Sequence, residues 1–382
     1  MRVPTISRVE VYPVELPITR TFVFASGSAG EAGAGARLVF VRVLDEEGRY
    51  GWGECRPMPG WSYETLETVV TTLRRHLIPA VVGTPASDLA GLHARMHAAI
   101  GRGPSTGQPI ARSALDMAVH DLLARALGLP LRALLGGSPR PASVALSYTV
   151  TAASPEAAAQ EVSAARAKGF EHFNFKVGVH PETDVQVARA IREAAGPEAF
   201  VWADANQGLA VERAARVAEG LAEAGVDVLE QPFAADKPHL MRAFRGRCPL
   251  PLAVDEASVS PSDFLLYASE GLVDYLVVKV TRSGGLWPSI AQVHIAQAFG
   301  LPLLISGLTD SMLTKMAACQ LGAAFGCQGP AALNGSQFID DSALFPTKAQ
   351  VEHDGRVWLP ELPGVGIEPD IDTLRSLEIK EV

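Results

Sequence analysis

Five charged residues stand at the ends of short apolar runs: Lys176 in HFNFKVG, Asp204 in FVWADAN, Glu230 in VLEQP, Asp255 in LAVDE and Lys279 in YLVVKV. Successive positions differ by 28, 26, 25 and 24 residues, a spacing that fits repeated strand–helix units. Three carboxylates projecting from consecutive strands into one pocket repel each other, and a divalent ion with oxygen ligands resolves that repulsion. Mg²⁺ suits such a set because it keeps positions for substrate oxygens. Lys176 and Lys279 would face each other across the metal, their pKa values lowered by burial and neighbouring positive charge enough to serve as base and acid. Two lysines flanking a metal-bound carboxylate is the arrangement that removes an α-proton and stabilises an enediolate. Any one of the five could equally form a salt bridge at a barrel rim. Together, in the order Lys, Asp, Glu, Asp, Lys, they would be a poor arrangement for stability alone, because the three adjacent carboxylates cost repulsion.

The elements around these residues have a matching pattern. Over residues 144–334, short runs rich in Val, Leu and Phe alternate with Ala-rich amphipathic stretches such as PEAAAQEVSAARAKG and DVQVARAIREAAG, which reads as a parallel sheet of βα units. Continuing the period lands on Ser306 in LLISG and on Leu333 and Asn334 in AALNG; stepping back lands on Tyr148 in ALSYT. Eight strands of this kind predict a (β/α)8-type barrel, with its active site at the C-terminal strand ends. Upstream, residues 9–16 and 38–44 read as strands. The Gly/Ala/Ser-rich FASGSAGEAGAGA between them reads as a mobile loop, too poor in apolar side chains to pack. A turn-rich segment, GECRPMPGWSYET, carries Trp61 and leads into a helix from about residue 64, and three helical patterns end at LPLRALLGG. DGRVWLPELPGVGIEPD reads as strand and turns, better placed back on the N-terminal domain than in the barrel. The expected division is an α+β cap over residues 1–140, a barrel over 141–345, and a segment 346–382 that returns to the cap.

Composition narrows the classes of function. The 382 residues are 48% hydrophobic and 20% charged, which gives a globular chain with ample core material rather than a disordered one. Lys and Arg number 33 against 42 Asp and Glu, for a formal charge of -9, so nucleic acid is not an expected partner. The four cysteines form no Cys-x-x-Cys pair, and neither a signal peptide nor a membrane-length apolar run is evident, so a cytoplasmic protein without a membrane partner is expected. GPSTG at residues 103–107 matches G-x-S-x-G, but it follows the helical HARMHAAIG, whereas a nucleophile elbow needs a strand. No Walker A or G-x-G-x-x-G sequence occurs. No histidine falls at a matched strand end, and His172, just before Lys176, is read as structural.

Asp204-Ala205-Asn206, Glu230-Gln231-Pro232, Asp255-Glu256, and Lys279 followed by Arg282-Ser283-Gly284-Gly285-Leu286 form a specific motif string. With the helix ARSALDMAVHDLLARALGLPLRALLGG, the chain resembles the muconate lactonizing enzyme subgroup of the enolase superfamily (mandelate racemase/muconate lactonizing enzyme family) over nearly its whole length. The resemblance implies an α/β fold: a modified TIM barrel, (β/α)7β, with an α+β N-terminal capping domain completed by the C-terminal segment. It implies Asp204, Glu230 and Asp255 as Mg²⁺ ligands, with Mn²⁺ able to substitute, and Lys176 and Lys279 as the acid/base pair. Asn206 and Glu256 would orient lysine or ligand. The cap loops 24–36 and 58–63 would set specificity, with Phe24 and Trp61 as an apolar or cation-π wall. Two departures stand out. Asn174 replaces the first lysine of the usual Lys-x-Lys, offering a neutral hydrogen bond instead of an ammonium. The seventh and eighth strand ends carry SGLTDSML, with Asp310 the nearest acid, and AALNGSQF, with Asn334, where relatives often place a substrate-reading carboxylate. A seventh-strand His, as in the mandelate racemase pair, is lacking.

The implied activity is α-proton abstraction from a small-molecule carboxylate by a homo-oligomeric enzyme: a racemase or epimerase of an amino-acid derivative, or a muconate-type cycloisomerase. The alternative is a dehydratase working by β-elimination, including o-succinylbenzoate synthase-like or hydroxy-acid dehydration. A non-catalytic binding protein on the same fold is the third reading; the paired lysines argue against it.

Overall fold

The computed structural model describes residues 3–103, 106–140, 142–180, 182–327 and 329–382. Ser105 of the G-x-S-x-G match therefore lies outside the described residues. The first strand, β1 (Ile6–Pro17), is followed by a short hairpin of β2 (Phe22–Phe24) and β3 (Gly27–Gly30), then by β4 (Gly35–Asp45) and β5 (Tyr50–Cys55). β1, β4 and β5 form an antiparallel sheet in that order. A helix at Pro109–Leu127 packs along β5, and 17 of its 19 residues are buried. Such a helix is covered on all sides, here by the cap sheet and by barrel helices. Its close approach requires glycine on β5: a Cβ at Gly51 would lie 2.1 Å from Leu122 N, and one at Gly53 1.9 Å from Ala114 O.

The Gly/Ala/Ser-rich stretch differs from the loop expected of it, since its first half is the β2–β3 hairpin. The reason lies at its start. Phe22 and Phe24 are both buried, and Phe22 stacks on Phe338 with ring centroids 4.4 Å apart. Two aromatic anchors supply the packing that the small residues lack.

Eight parallel strands follow: β6 (Ala142–Ala145) leads into the barrel strands β7 (Ser147–Val150), β8 (His172–Lys176), β9 (Val201–Asp204), β10 (Val228–Glu230), β11 (Leu252–Val254), β12 (Tyr275–Val278), β13 (Leu303–Ser306) and β14 (Ala331–Ala332). A parallel bridge from Leu146 to Ala331 links the two edges. Inside, Trp202, Val228, Ala253, Val277, Leu304 and Ala332 form one buried cluster. Each lies two residues before Asp204, Glu230, Asp255, Lys279, Ser306 or Asn334 respectively. Because side chains alternate along a strand, the polar set sits on the same inward face, one layer above an apolar plug.

The last segment divides. β15 (Glu352–His353) and β16 (Arg356–Leu359) form an antiparallel sheet with β6, so this strand joins the barrel's entry strand rather than the cap sheet. Its buried Val357 and Leu359 pack into the large core cluster that the barrel dominates, which explains the pairing. The residues after β16 reach the cap: Val365 N donates to Asp121 Oδ1 (2.6 Å), Tyr50 and Arg125 donate to Glu368, and at the chain end Ile379 N donates to Pro13 O (2.8 Å) while Glu378 bridges Val14. Among the described residues no helix is long and apolar enough to cross a membrane.

Candidate active site

Register places the charged residues side by side. Lys176 pairs with Asp204, and Asp204 with Glu230, across parallel strands, so their side chains leave the sheet at one level. Asp255 follows β11 directly and is set by Gln231, whose Oε1 accepts Asp255 N and Ala257 N (both 3.1 Å). Lys279 follows β12 and reaches back to Asp255.

Lys176 Nζ donates to Asp204 Oδ2 at 2.5 Å, and Asp204 Oδ1 accepts Asn206 N at 2.9 Å. Lys279 Nζ donates to Asp255 Oδ2, while the buried Arg282 donates to Asp255 Oδ1 and, at 2.7 Å, to its carbonyl. Burial alone would raise the Asp255 pKa, but Lys279 and Arg282 hold it below its ordinary value. Burial alone would lower the Lys279 pKa, but Asp255, Glu230, Glu256 and Asp204 raise it. Four carboxylates thus outweigh burial at Lys279; the positive charge of a cation held by those carboxylates would act the other way, toward the depressed lysine expected from the sequence.

Glu230 lies between the two pairs and is the odd one out. It is buried, its Oε1 has no hydrogen-bond partner, and burial with the Asp204 and Asp255 charges pushes its pKa well above the carboxylate range. Glu256 accepts Asn206 Nδ2 at 3.0 Å, leaves Oε2 without a partner, and is pushed up to about 7 by burial and by Asp255 and Asp204. Asn206 and Glu256 thus brace each other behind the three carboxylates. Among the described residues no three acidic, thiol or imidazole side chains are gathered into a preformed cluster for an ion. Asp204 and Asp255 each hold a lysine as counter-ion, on either side of Glu230. The donor set fits a hard divalent cation: three carboxylates on adjacent strands, Asp204 and Glu230 paired in register and Asp255 two residues past Ala253, the partner of Glu230, with Glu230 Oε1 unpartnered.

The cap closes over this layer. Lys279 Nζ sits 4.9 Å from the centre of the Trp61 ring, and Lys176 Nζ 5.4 Å from Phe22 and 5.9 Å from Phe24. Trp61 is placed by a turn in which Met58 O accepts Trp61 N and Ser62 N, and by Glu64, whose carboxylate accepts Ile110 N (2.7 Å) and Ala111 N (2.9 Å) at the start of the long helix. The cavity that remains has a volume of about 40 Å³, room for a few waters.

Of the residues expected to touch substrate, Phe24, Trp61 and Asn334 line this cavity and Asp310 does not. Asp310 turns back to accept Leu308 N at 2.7 Å and lies in the charge field of Glu54 and Arg56 at the cap–barrel junction. A tight loop closes on its own carboxylate, which sequence position alone does not reveal. Asn174 lines the cavity, but its amide is committed to neighbours: Oδ1 accepts Thr149 Oγ1 (2.9 Å), and Nδ2 donates to Ser147 O and Oγ. Asn334 Nδ2 donates to the same Thr149 hydroxyl (3.2 Å).

The structure adds Trp202, Phe22, Ser306 and Thr309 to the lining. Trp202 was legible by period two from Asp204, and its buried Nε1 has no partner. Phe22 was legible by the same period from Phe24. Thr309 had no local signal.

Family models and known proteins match most of the chain. Residues 8–136 match the mandelate racemase / muconate lactonizing enzyme N-terminal domain, and residues 156–373 the enolase C-terminal domain-like family. The chain is 26% identical over 378 residues to an N-succinyl-L-Arg/Lys racemase of Bacillus cereus, covering 98% of each chain. It is 30% identical over 328 residues to a chloromuconate cycloisomerase of Delftia acidovorans, covering 83% of this chain and 84% of the relative. It superposes on a dipeptide epimerase from Cytophaga hutchinsonii, solved with Mg and D-Ala-L-Val, with TM-score 0.88, 26% identity and 98% coverage of both.

Proposed function

Because this chain belongs to the mandelate racemase/muconate lactonizing enzyme family of the enolase superfamily, we propose that it abstracts the α-proton of a small carboxylate substrate through an enediolate, as a racemase or epimerase of an amino-acid derivative or as a muconate-type cycloisomerase. The observation that carries the reading is the placement of Lys176 and Lys279, each against an aspartate on either side of the buried Glu230. In this reading residues 1–140 cap the barrel of residues 141–345, with 346–382 completing the assembly.

Asp204, Glu230 and Asp255 would hold Mg²⁺, or Mn²⁺ in its place. Such an ion supplies positive charge beside the substrate carboxylate, which makes the α-proton more acidic. The two lysines then act from opposite faces. One Nζ, in its neutral form, takes the α-proton; the other, as an ammonium, delivers a proton to the opposite face, and the stereocentre inverts. Phe22, Phe24 and Trp61 exclude water from both lysines, and Asn206 and Glu256 keep the carboxylates in place. With a leaving group on the β-carbon the same first step gives β-elimination, so the lyase alternative is distinguished by product alone.

Incubation of amino-acid derivatives, diacids and hydroxy acids in D₂O with Mg²⁺, followed by NMR, tests the reading. Deuterium entering the α-position with loss of optical purity is the result expected. An alkene product moves the enzyme to the lyase class, and no exchange across the library overturns the proposal.

A further inference from the structure

At the seam between cap and barrel, two arginines and two histidines converge on one small space. This cavity, of about 20 Å³, shares no wall residue with the catalytic cavity. On the cap side it is walled by His93 and His97 of the helix Leu89–Ala99, by Arg102 after that helix, and by Arg112 near the start of the long helix. The barrel side contributes neutral groups, Ser260 and Ser283 among them. Among the described residues no carboxylate lines it.

One of the four basic groups has a counter-ion and the others do not share it. His93 Nε2 lies 2.7 Å from Asp116 Oδ2. Arg112 is 3% exposed, so its guanidinium has left water. Its terminal nitrogens donate only to carbonyls, of Thr106 at 3.2 Å and of Ile100, and its Nε is buried without a partner. Glu64 lies in the field of Arg112, but its two oxygens are occupied by Ile110 N and Ala111 N. His97 feels cations alone: burial, then Arg112, Arg102 and His93, lower its pKa to about 4. The barrel hydroxyls offer no relief, since Ser260 Oγ donates to Asp263 Oδ2 (2.7 Å) and Ser283 Oγ to Gln292 Oε1 (3.0 Å). A buried guanidinium with an unused N–H and no facing carboxylate is costly, and an anion removes that cost.

We propose that this cavity binds one monatomic anion, chloride, which accepts from Arg112 Nε and is flanked by Arg102 and His97. A space of this size admits a single water-sized species, so chloride and bromide fit and sulfate does not. The bound ion gives Arg112 its counter-ion, fastens Arg102 to the seam, and makes protonation of His97 easier by reversing the sign of the field on it.

The whole enzyme, freed of chloride and kept at constant ionic strength with sodium gluconate, is titrated with sodium chloride. The ³⁵Cl line width reports binding, and the imidazole NMR signals report the His97 pKa. Saturable broadening is expected, with bromide competing and sulfate not, and saturation should raise the His97 pKa by about one unit. Arg102→Ala, at an exposed position, should weaken chloride about two- to fivefold. Arg112→Lys, which keeps the charge but loses the Nε–H, should weaken it at least about tenfold. Bromide-soaked crystals of the unaltered protein should show an anomalous peak beside Arg112, a result that does not depend on either variant folding. Broadening that never saturates or that both variants leave unchanged, sulfate competing as well as bromide, a His97 pKa that does not move, or bromide found only on the outer surface overturns the site.

Discussion

The guanidinium of Arg56, almost wholly buried, donates to the carbonyl of Thr309 at 3.0 Å, and so ties the cap to the barrel loop that lines the catalytic cavity. The same group donates to Leu308 O (3.3 Å) on that loop and, on the cap's own side, to Ala29 O (2.6 Å) on the hairpin. Thr309 has φ +60°, a left-handed conformation that a β-branched residue rarely adopts and that its neighbours must hold. Burial lowers the Arg56 pKa to about 10, against the opposing effect of Asp310 and Glu54. Arg56→Met should therefore release both walls of the cavity at once. Amide hydrogen exchange over residues 22–30 and 307–311 should speed up by on the order of tenfold or more, while that of the barrel strands stays as it was. Uniform acceleration over the whole chain would mean that Arg56 stabilises the fold generally and does not act as a local clamp.

The lysines make different predictions for the two faces of the α-carbon. Lys176→Ala and Lys279→Ala should each reduce racemisation by about 10² to 10⁴. Each variant should keep slow α-deuteration of one enantiomer, and the two variants should retain opposite ones. Retention of the same enantiomer by both, or an undiminished rate in either, contradicts a base on each face.

Removing metal should stop turnover without unfolding the chain. Lys176 and Lys279 already pair with Asp204 and Asp255, so two of the three carboxylates have counter-ions of their own. Exhaustive chelation should abolish α-deuteration, leave far-UV circular dichroism unchanged, and be reversed by Mg²⁺ or Mn²⁺. Glu230→Gln, which removes the charge of a carboxyl group whose buried Oε1 has no partner, should weaken Mg²⁺ binding by about 10-fold or more in calorimetry. Activity that survives chelation contradicts the metal role.

The barrel and its polar ring were legible because strand alternation and a regular strand–helix period are written in the order of the residues. Lys176, Asp204, Glu230, Asp255 and Lys279 lie where that period puts them, one layer above Trp202, Val228, Ala253 and Val277. What escaped depends on contacts between segments far apart in sequence. The hairpin is packed by Phe22 against Phe338, and β16 finds β6 more than 200 residues upstream. Asp310 is turned away by its bond to Leu308 N. No local composition reports any of these. The number of carboxylates around Lys279 escaped for a related reason: Glu230, Asp255, Glu256 and Asp204 come within reach of one another only after folding.

The last prediction concerns Glu64, which anchors the Trp61 turn to the long helix through Ile110 N and Ala111 N. Burial raises its pKa to about 7, against the opposing effect of those two amides and Arg112. A folded-state value above the unfolded one means that the folded chain holds this proton more tightly. The associated stability is fully present below about pH 4.5 and is lost as pH rises through about 7. Glu54, raised to about 8 by burial and Asp310, acts in the same direction. Urea midpoints should therefore fall between pH 5 and 8, by an amount equivalent to at most about 3 kcal/mol from Glu64. Glu64→Gln should flatten that slope, and because the neutral amide keeps only one acceptor oxygen, it should also loosen the turn and weaken the quenching of Trp61 by bound carboxylates. A slope as steep in Glu64→Gln as in the parent protein would mean that the proton is held elsewhere.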